Sequence, residues 1–213
     1  MTKELKKRIY TSIALITLVV VCLFFSNFSW LLFLTIVSLI CWIEFINLSK
    51  KIWKRKPIII LPIFCSLLFI FLFSYTAYVI KIQEGIELVL FILFICISSD
   101  VGGYVVGKKI GGKKLTKISP KKTVSGSIGS FLFSVFFLVI WGIVMKESIT
   151  KDLILFSLLI SFACQIGDLI ISYFKRLAKV KDTGNILPGH GGMLDRIDGI
   201  IFALPTLLIS YPL

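Results

Sequence analysis

The sequence predicts an all-α polytopic membrane protein of about seven transmembrane helices, and three observations support this fold class. Of the 213 residues, 57% are hydrophobic and 16% are charged, whereas soluble chains are roughly 45 to 50% apolar and about 25% charged. The hydrophobic residues form uncharged runs that match the roughly 20 residues needed to cross a bilayer as a helix. Lys and Arg outnumber Asp and Glu by 24 to 11, which gives a net charge of +13. An apolar chain with this cationic surplus is not an ordinary soluble domain.

The predicted helices follow one another with short connections. No charged residue occurs from Ile9 to Ile43, a run that is too long for a single crossing. The polar turn between Ser26 and Ser29 therefore divides it into two helices. Charged or polar segments separate the later runs in the same way. The seven spans are predicted at about residues 9–25, 30–48, 57–80, 88–106, 127–145, 153–174 and 197–212.

The distribution of basic residues predicts the orientation in the membrane. The loops at 1–8, 49–57, 107–126 and 175–196 carry 21 of the 24 basic residues. Because positively charged loops stay on the cytoplasmic side, the N-terminus is predicted to be cytoplasmic and the C-terminus to lie outside. Without a transit peptide, a bacterial cytoplasmic membrane is the expected location.

Three acidic residues lie near the cytoplasmic ends of predicted spans, where an unpaired charge is costly. For Glu44, the neighbouring Lys50 and Lys51 offer a simple explanation, in which the carboxylate turns towards the interface and pairs with a lysine. A functional role is the alternative. Asp100 and Asp168 each open onto a loop rich in polar residues, which favours a functional role for both.

Asp168 begins a polar stripe on the sixth predicted helix. Steps of four, three and four residues place Asp168, Ser172, Lys175 and Lys179 on one helix face. Such a face can hold a cation beside its carboxylate and phosphate oxygens beside its ammonium groups. A solvated helix end would account for the lysines but not for the deeper Asp168.

The loop that follows has the composition of a turn that binds phosphate and metal. Glycines surround the only histidine, His190, and the loop ends with Asp195, Arg196 and Asp198. Glycine-rich backbone brings amide groups close to phosphate, and Mg²⁺ is commonly held by one or two carboxylates together with substrate phosphates. Alternatively, one of the two acids caps the last helix and His190 bonds a carbonyl group.

The third basic loop combines lysines with glycines. It begins after Asp100 and ends with Ser-Pro-Lys-Lys-Thr at positions 119–123, a composition that favours a segment wrapping a polyphosphate. The small residues Ser99, Gly103 and Gly107 are equally suited to close helix packing, and the lysines to attraction of anionic lipid. The sequence contains no GxxxxGK[ST] motif and therefore predicts no P-loop.

These motifs resemble one known family. Segment 172–198 resembles the signature of the phosphatidate cytidylyltransferases, also called CDP-diacylglycerol synthases, and segments 99–123 and 165–169 match that family in order. Gly199 departs from the family, which usually has serine there, and Ser125 stands where an acidic residue is common. The positions that carry the resemblance are Ser172, Lys175, Arg176, Lys181, Asp182, Gly184, Pro188, Gly189, His190, Gly191, Gly192, Asp195, Arg196 and Asp198.

The resemblance implies a nucleotidyltransferase of phospholipid biosynthesis, which joins CTP to phosphatidic acid and releases CDP-diacylglycerol and pyrophosphate. It implies Mg²⁺ as the cofactor, with potassium as a second cation, at the metal-binding positions Asp168, Asp195, Asp198 and Asp100. The implied catalytic residues are Asp195, Asp168, Lys175 and His190. The residues expected to hold the phosphates of CTP and of the lipid are Lys121, Lys122, Thr123, Ser172, Lys175, Arg176, Lys181, Asp182, Gly189, His190, Gly191, Gly192 and Arg196.

One integrated domain is expected, in which residues 88–213 form the catalytic helices and loops and residues 1–87 the N-terminal membrane helices. The expected partners are CTP, phosphatidic acid and bilayer lipid, without nucleic acid, and a homodimer is left open.

A CTP-dependent enzyme acting on another phospholipid or on an isoprenoid lipid is the alternative within the same chemistry. A membrane transporter would also place acids in spans, but it is expected to show discontinuous helices and charges at mid-membrane depth. A passive anchor leaves the glycine and histidine loop unexplained.

Overall fold

The protein is helical in the computed structural model, which describes residues 3–53, 57–116 and 119–210. Within these ranges the only β-type pairings are two isolated bridges, Lys114 with Thr123 and Leu187 with Gly191. The helices are α1 (Lys3–Phe25), α2 (Asn27–Trp53), α3 (Ile60–Gln83), α4 (Ile86–Ile110), α5 (Val124–Met145), α6 (Lys151–Leu177), α7 (Leu194–Ala203) and α8 (Leu207–Ser210), with short 3₁₀ turns at Pro57–Ile59 and Leu204–Thr206. The predicted all-α fold class is confirmed.

Six helices of the described chain, α1 to α6, are long and apolar enough to cross a membrane. Many of their large hydrophobic side chains are exposed, as expected of surfaces that face lipid rather than water. These helices correspond to the first six predicted spans and confirm a multi-pass membrane protein. Residues 54–56 of the basic loop predicted at 49–57 lie outside the described residues.

The predicted seventh span, at about 197–212, is not one continuous α-helix in the described residues. It begins in α7, passes through the Leu204–Thr206 turn and continues as α8, while residues 211–213 lie outside the described chain. Pro205 interrupts the α-helix because it lacks an N–H and its ring crowds the preceding turn. The seventh crossing and the outside position of the C-terminus stay predictions.

The contacts divide the chain into two compact units. The first unit comprises Met1–Ile86 and Phe174–Ile197, and the second comprises Glu87–Tyr173 and Asp198–Leu213. The loop that contains His190 therefore belongs to the same unit as helices α1 to α3. The second unit holds most of α4, α5, α6 and α7. The expectation of one integrated domain stays a prediction.

In the first unit, a polar turn joins α1 to α2 where the sequence predicts it. The backbone N–H of Ser26 donates to Ser29 Oγ and that of Ser29 donates to Ser26 Oγ, each at 3.0 Å. This reciprocal pair satisfies amide groups that the start of a helix leaves without partners. Lys81 Nζ donates to the Ser26 carbonyl at 2.8 Å, and Trp30 Nε1 to the Ala77 carbonyl at 3.2 Å. The turn is thus tied to the end of α3.

In the second unit, α4 and α5 pack through glycines. The Cα of Gly126 lies 3.3 Å from the point where a Cβ on Gly107 would stand, and Ser130 Oγ lies 2.7 Å from the equivalent point on Gly103. Close packing through Gly103 and Gly107 is therefore confirmed. Ser99, the third small residue of that row, instead bonds Ser161 Oγ of α6 at 2.9 Å.

Gly129 of α5 offers a test of this packing. A Cβ there would stand 2.7 Å from the Gly102 carbonyl oxygen and would overlap the Val106 side chain. Gly129→Ala is expected to lower the free energy of unfolding by about 1 to 3 kcal/mol because one helix must move. Thermal unfolding in detergent measures the effect. Leu132→Ala, at a position 62% exposed on the same helix, is the control, and equal melting temperatures for the two variants would contradict this account.

Candidate active site

Two cavities, one in each unit, are lined by residues that the sequence singled out. The lysine-loop cavity, in the second unit, has a volume of about 590 Å³. The histidine-loop cavity, in the first unit, has a volume of about 550 Å³. The lysine-loop cavity is lined on its polar side by Asp100, Tyr104, Lys108, Ser119, Lys121, Lys122, Thr123, Ser127, Ser130, Gln165 and Asp168.

Backbone hydrogen bonds give the lysine loop its shape. The Leu115 N–H donates to the Lys122 carbonyl at 2.8 Å, and the Val124 N–H to the Lys113 carbonyl at 2.9 Å. Thr123 is the N-cap of α5, because its Oγ1 accepts the Gly126 N–H at 3.0 Å. The cap sets the direction in which the loop enters α5. Lys121 and Lys122 consequently border the cavity.

Asp168 lies on the α6 wall of this cavity. Its carboxylate forms an ion pair with Lys122, and Ser172 Oγ donates to its Oδ1 at 3.2 Å. The shared face of positions 168 and 172 is thereby confirmed. The ion pair is only partly buried, with 34% of the Asp168 side chain and 26% of the Lys122 side chain exposed. A charged ligand in the cavity can therefore reach both groups.

Asp100 presents a second carboxylate to the lysine-loop cavity. It stands on α4 within 3.7 Å of Cys164 Sγ, and Ser127 and Gln165 add further oxygen atoms to the lining. Mg²⁺ prefers oxygen ligands and is usually held by one or two carboxylates completed by water and phosphate. The donor set fits Mg²⁺ in that manner. Among the described residues, no group of three or more His, Cys, Asp or Glu side chains forms a complete protein-only site.

The histidine-loop cavity is built around a tight turn from Leu187 to Gly191. The Leu187 N–H donates to the Gly191 carbonyl and the His190 N–H to the Leu187 carbonyl, both at 2.9 Å. Gly189 and Gly191 have φ of +76° and +84°, a region that residues with a Cβ rarely adopt. The residues that line the cavity are Arg8, Lys181, Asp182, Asn185, Leu187, Pro188, Gly189, His190, Gly191 and Arg196.

Asp195 is the central acceptor beneath this turn. Lys175 Nζ contacts its Oδ1 at 2.7 Å, while its Oδ2 accepts the N–H of Thr183 at 2.7 Å and that of Gly192 at 3.1 Å. Burial raises the pKa of Asp195, but these donors outweigh that effect and hold the pKa below its usual value. Only 3% of the side chain is exposed. Its predicted role as a metal ligand stays a prediction.

Glu44 of α2 holds the histidine loop in place, although the sequence does not predict it as a site residue. It is 3% exposed, and its carboxylate accepts the N–H groups of Met193 and Leu194, each at 3.0 Å, and Thr183 Oγ1 at 2.8 Å. Glu44 rather than an aspartate of the loop therefore receives the first amides of α7. The signals in the sequence are an acid inside a predicted span and the Trp42-Ile-Glu44 sequence, which is similar to a feature of the resembled family. Its partners lie 139 to 150 residues further along the chain, and these groups rather than Lys50 or Lys51, the simpler of the two interpretations from sequence, hold the carboxylate.

Steric crowding explains why glycine occupies two positions next to the Glu44 carboxylate. A Cβ on Gly184 would stand 2.5 Å from Glu44 Oε1, and a Cβ on Gly192 would overlap both Glu44 Oε2 and Thr183 Oγ1. The backbone approaches the carboxylate so closely that a side chain does not fit. These glycines serve the approach of backbone to a protein carboxylate.

Helix α6 ends two residues before Lys179, the last member of the polar stripe that the sequence predicts. The helix ends at Leu177, and Lys179 adopts φ +55° in a C-terminal turn where the Val180 N–H donates to the Lys175 carbonyl at 3.0 Å. The expectation that Lys179 shares the helix face is therefore wrong. Arg176 is exposed on the last turn of α6.

The remaining predicted residues lie around α7. Arg196 donates from Nη2 to the His190 carbonyl at 2.6 Å, which ties the helix to the turn. Asp198 Oδ1 accepts the Gly199 N–H at 2.9 Å. A Cβ at Gly199 would overlap Cys164 Sγ, which explains glycine at this position.

The structure thus sorts the predicted site residues into two groups. Asp100, Asp168, Lys121, Lys122 and Thr123 line the lysine-loop cavity. The second group lines the histidine-loop cavity or takes part in the hydrogen bonds of Asp195. It consists of Lys175, Lys181, Asp182, Gly189, His190, Gly191, Gly192, Asp195 and Arg196. Ser172, Arg176 and Asp198 are absent from the described lining of both cavities.

Comparison with known proteins identifies related sequences. A family model described as the cytidylyltransferase family matches residues 49–213. A phosphatidate cytidylyltransferase of Rickettsia bellii is 39% identical over 169 residues, covering 75% of this chain and 69% of the relative. Those of Bacillus subtilis and Staphylococcus saprophyticus are 42% and 41% identical over 127 and 129 residues, covering 59% and 60% of this chain. The chain spans about half the length of these two relatives, 47% and 50% respectively.

The six apolar helices define a multi-pass integral membrane protein with polar, lysine-bearing loops. The chain belongs to the cytidylyltransferase family, because the family model matches well over half of it.

Glu44→Gln tests the role of the Glu44 carboxylate. Glutamine replaces one acceptor oxygen by an NH₂ group, which faces a backbone N–H and leaves it without a partner. We expect the loop at 183–194 to lose about 1 to 3 kcal/mol of stability against local opening. Hydrogen–deuterium exchange of peptides from this loop measures the change. Glu84→Gln is the matched control, because Glu84 is exposed at the end of α3; faster exchange in both variants, or in neither, would contradict the assignment.

Proposed function

We propose that this protein is a phosphatidate cytidylyltransferase, which forms CDP-diacylglycerol and pyrophosphate from CTP and phosphatidic acid. The observation that carries the proposal is the lysine-loop cavity, whose lining combines the carboxylates of Asp100 and Asp168 with Lys121 and Lys122. Membership of the cytidylyltransferase family and the names of the relatives support the same activity.

The reaction has a clear electrostatic requirement. An oxygen of the lipid phosphate attacks the α-phosphorus of CTP, a new P–O–P bond forms, and the bond between the α-phosphorus and the bridging oxygen breaks as pyrophosphate leaves. Two anions must approach each other, so cationic groups have to offset their repulsion. Holding both substrates in line then lowers the remaining barrier.

The residues of the lysine-loop cavity suit this requirement. The charge of Lys122 is already paired with that of Asp168. Lys121 is exposed and lines the cavity, so its ammonium group is available to a phosphate. Asp100 and Asp168 would hold Mg²⁺, which would supply positive charge that offsets the repulsion of the phosphates. Potassium as a second cation, and Asp195 and Asp198 as further metal ligands, belong to the same proposal.

The histidine-loop cavity supplies a second cationic surface. Lys181 and Arg196 line it, and the glycine-rich turn next to His190 presents backbone at close range. Lys175 is less available for a substrate, because only 14% of its side chain is exposed and its Nζ is bonded to Asp195. We propose that Lys175 positions Asp195 and that Lys181 and Arg196 meet phosphate.

The proposed setting is a bacterial cytoplasmic membrane with both polar loops on the cytoplasmic side. CTP is soluble and phosphatidic acid is a bilayer lipid, so the reaction needs polar groups at the membrane surface. The bias of basic residues to four loops supports this orientation. Homodimer formation remains an open part of the proposal, and no nucleic-acid partner is expected.

Asp168→Asn tests the proposal. Full-length protein in detergent receives labelled CTP, phosphatidic acid and Mg²⁺, and CDP-lipid and pyrophosphate are measured. The wild type is expected to form both products, and the variant to turn over more slowly by on the order of 100-fold or more, because a carboxylate next to the reacting phosphates is lost. Asp152→Asn makes the same chemical change at the exposed first turn of α6 and should leave turnover unchanged.

Two results would overturn these assignments separately. Unchanged turnover in a folded Asp168→Asn variant would remove Asp168 from the site. Wild-type protein that forms no CDP-lipid from phosphatidic acid would contradict the proposed substrate, and activity with a different phosphorylated lipid would then identify the related enzyme.

A further inference from the structure

The first helix contributes a basic residue to the histidine-loop cavity. Arg8, near the start of α1, lines this cavity together with Lys181 and Arg196. Asp182 is the one acidic residue in its described lining, so the charged side chains leave a surplus of two positive charges. A concave surface of this kind attracts anions. The sequence alone indicates no role for Arg8 beyond its place among the basic residues that predict membrane orientation.

Specific contacts hold α1 against the loop and thereby fix the position of Arg8. Thr11 Oγ1 lies 3.0 Å from the Pro188 carbonyl, and Ser12 Oγ lies 3.1 Å from His190 Nε2. A Cβ on Gly189 would stand 3.0 Å from Arg8 Cγ, so the aliphatic stem of the arginine runs past the turn at close range. The α1 contacts therefore seat Arg8 at the cavity.

The other ring nitrogen of His190 provides a second, independent observation. His190 Nδ1 is buried and has no hydrogen-bond partner among the residues that the structure describes. A buried polar atom without a partner is costly unless something else satisfies it. His190 lines the cavity, so a ligand that displaces the side chains covering this atom can provide that partner.

We propose that Arg8 is a substrate-binding residue, whose guanidinium group binds a phosphate in the histidine-loop cavity together with Lys181 and Arg196. Arginine suits this task because its planar fork donates two parallel hydrogen bonds to phosphate. The proposal rests on the proposed function, which supplies two candidate phosphates, the triphosphate of CTP and the phosphate of the lipid. It makes the N-terminal helix part of substrate binding as well as membrane insertion.

Arg8→Gln, with Lys7→Gln as the matched control, tests the role of Arg8. Lys7 is exposed, precedes Arg8 on the same helix and is absent from the described cavity lining. Both variants lose one positive charge near the membrane surface, so a general electrostatic effect changes them equally. The KM for CTP at saturating phosphatidic acid and the KM for phosphatidic acid at saturating CTP are measured for full-length protein in mixed micelles.

Arg8→Gln is expected to raise one of the two KM values about tenfold relative to Lys7→Gln, as the loss of a charged hydrogen bond predicts. A higher KM for CTP assigns the cavity to the nucleotide, and a higher KM for phosphatidic acid assigns it to the lipid phosphate. Equal KM values in the two variants would overturn the inference.

A binding measurement separates this inference from the proposed function. Pyrophosphate is titrated into wild-type protein and both variants, and the rise in thermal stability reports binding to the folded state. Stabilisation of wild type and Lys7→Gln, but not of Arg8→Gln, supports the phosphate site even if the wild type forms no CDP-lipid. An active wild type in which Arg8→Gln matches Lys7→Gln in both KM values and in pyrophosphate stabilisation would defeat the Arg8 assignment and leave the proposed function standing.

Discussion

The histidine loop depends on two buried carboxylates that accept backbone amides. Glu44, on α2, accepts the N–H groups of Met193 and Leu194 at the start of α7, and Asp195 accepts those of Thr183 and Gly192. Thr183 Oγ1 lies within hydrogen-bond distance of both carboxylates, at 2.8 Å from Glu44 and 3.0 Å from Asp195. A buried charge is tolerated only when hydrogen bonds replace the water that it loses. The loop therefore keeps its shape because its backbone supplies those bonds.

This arrangement separates residues that shape the site from residues that are available to a ligand. Lys175 and Asp195 are largely buried and bonded to each other, so their first role is to hold the turn in place. Lys181 and Arg196 line open volume, as do Lys121 and Asp168 in the other unit. A sequence motif does not tell residues that shape the site from residues that bind a ligand, because both kinds are needed for the site to form. Burial distinguishes them, because Arg196 and Asp168 also have bonding partners but stay exposed or half-buried.

Much of the fold follows from local sequence patterns. Uncharged runs indicate α1 to α6, and the polar turn at Ser26–Ser29 indicates the first connection, because bilayer thickness and backbone hydrogen bonding leave few alternatives. The residues at which helices end are harder to predict from sequence. A Schellman turn places Lys179 outside α6, and Pro205 breaks the last apolar run, so that a continuous hydrophobic pattern there does not form one long helix.

The sequence by itself determined the helical membrane fold, the motifs that mark the cytidylyltransferase family, and the acids and lysines of the candidate site. These features are local, since hydropathy, charge and glycine spacing are read from neighbouring residues. Only the tertiary structure decided that Glu44 supports a loop 139 to 150 residues away, and that Arg8 lines the cavity beside His190. Contacts between distant segments depend on how helices pack, and a single sequence carries no local pattern that specifies such a pair.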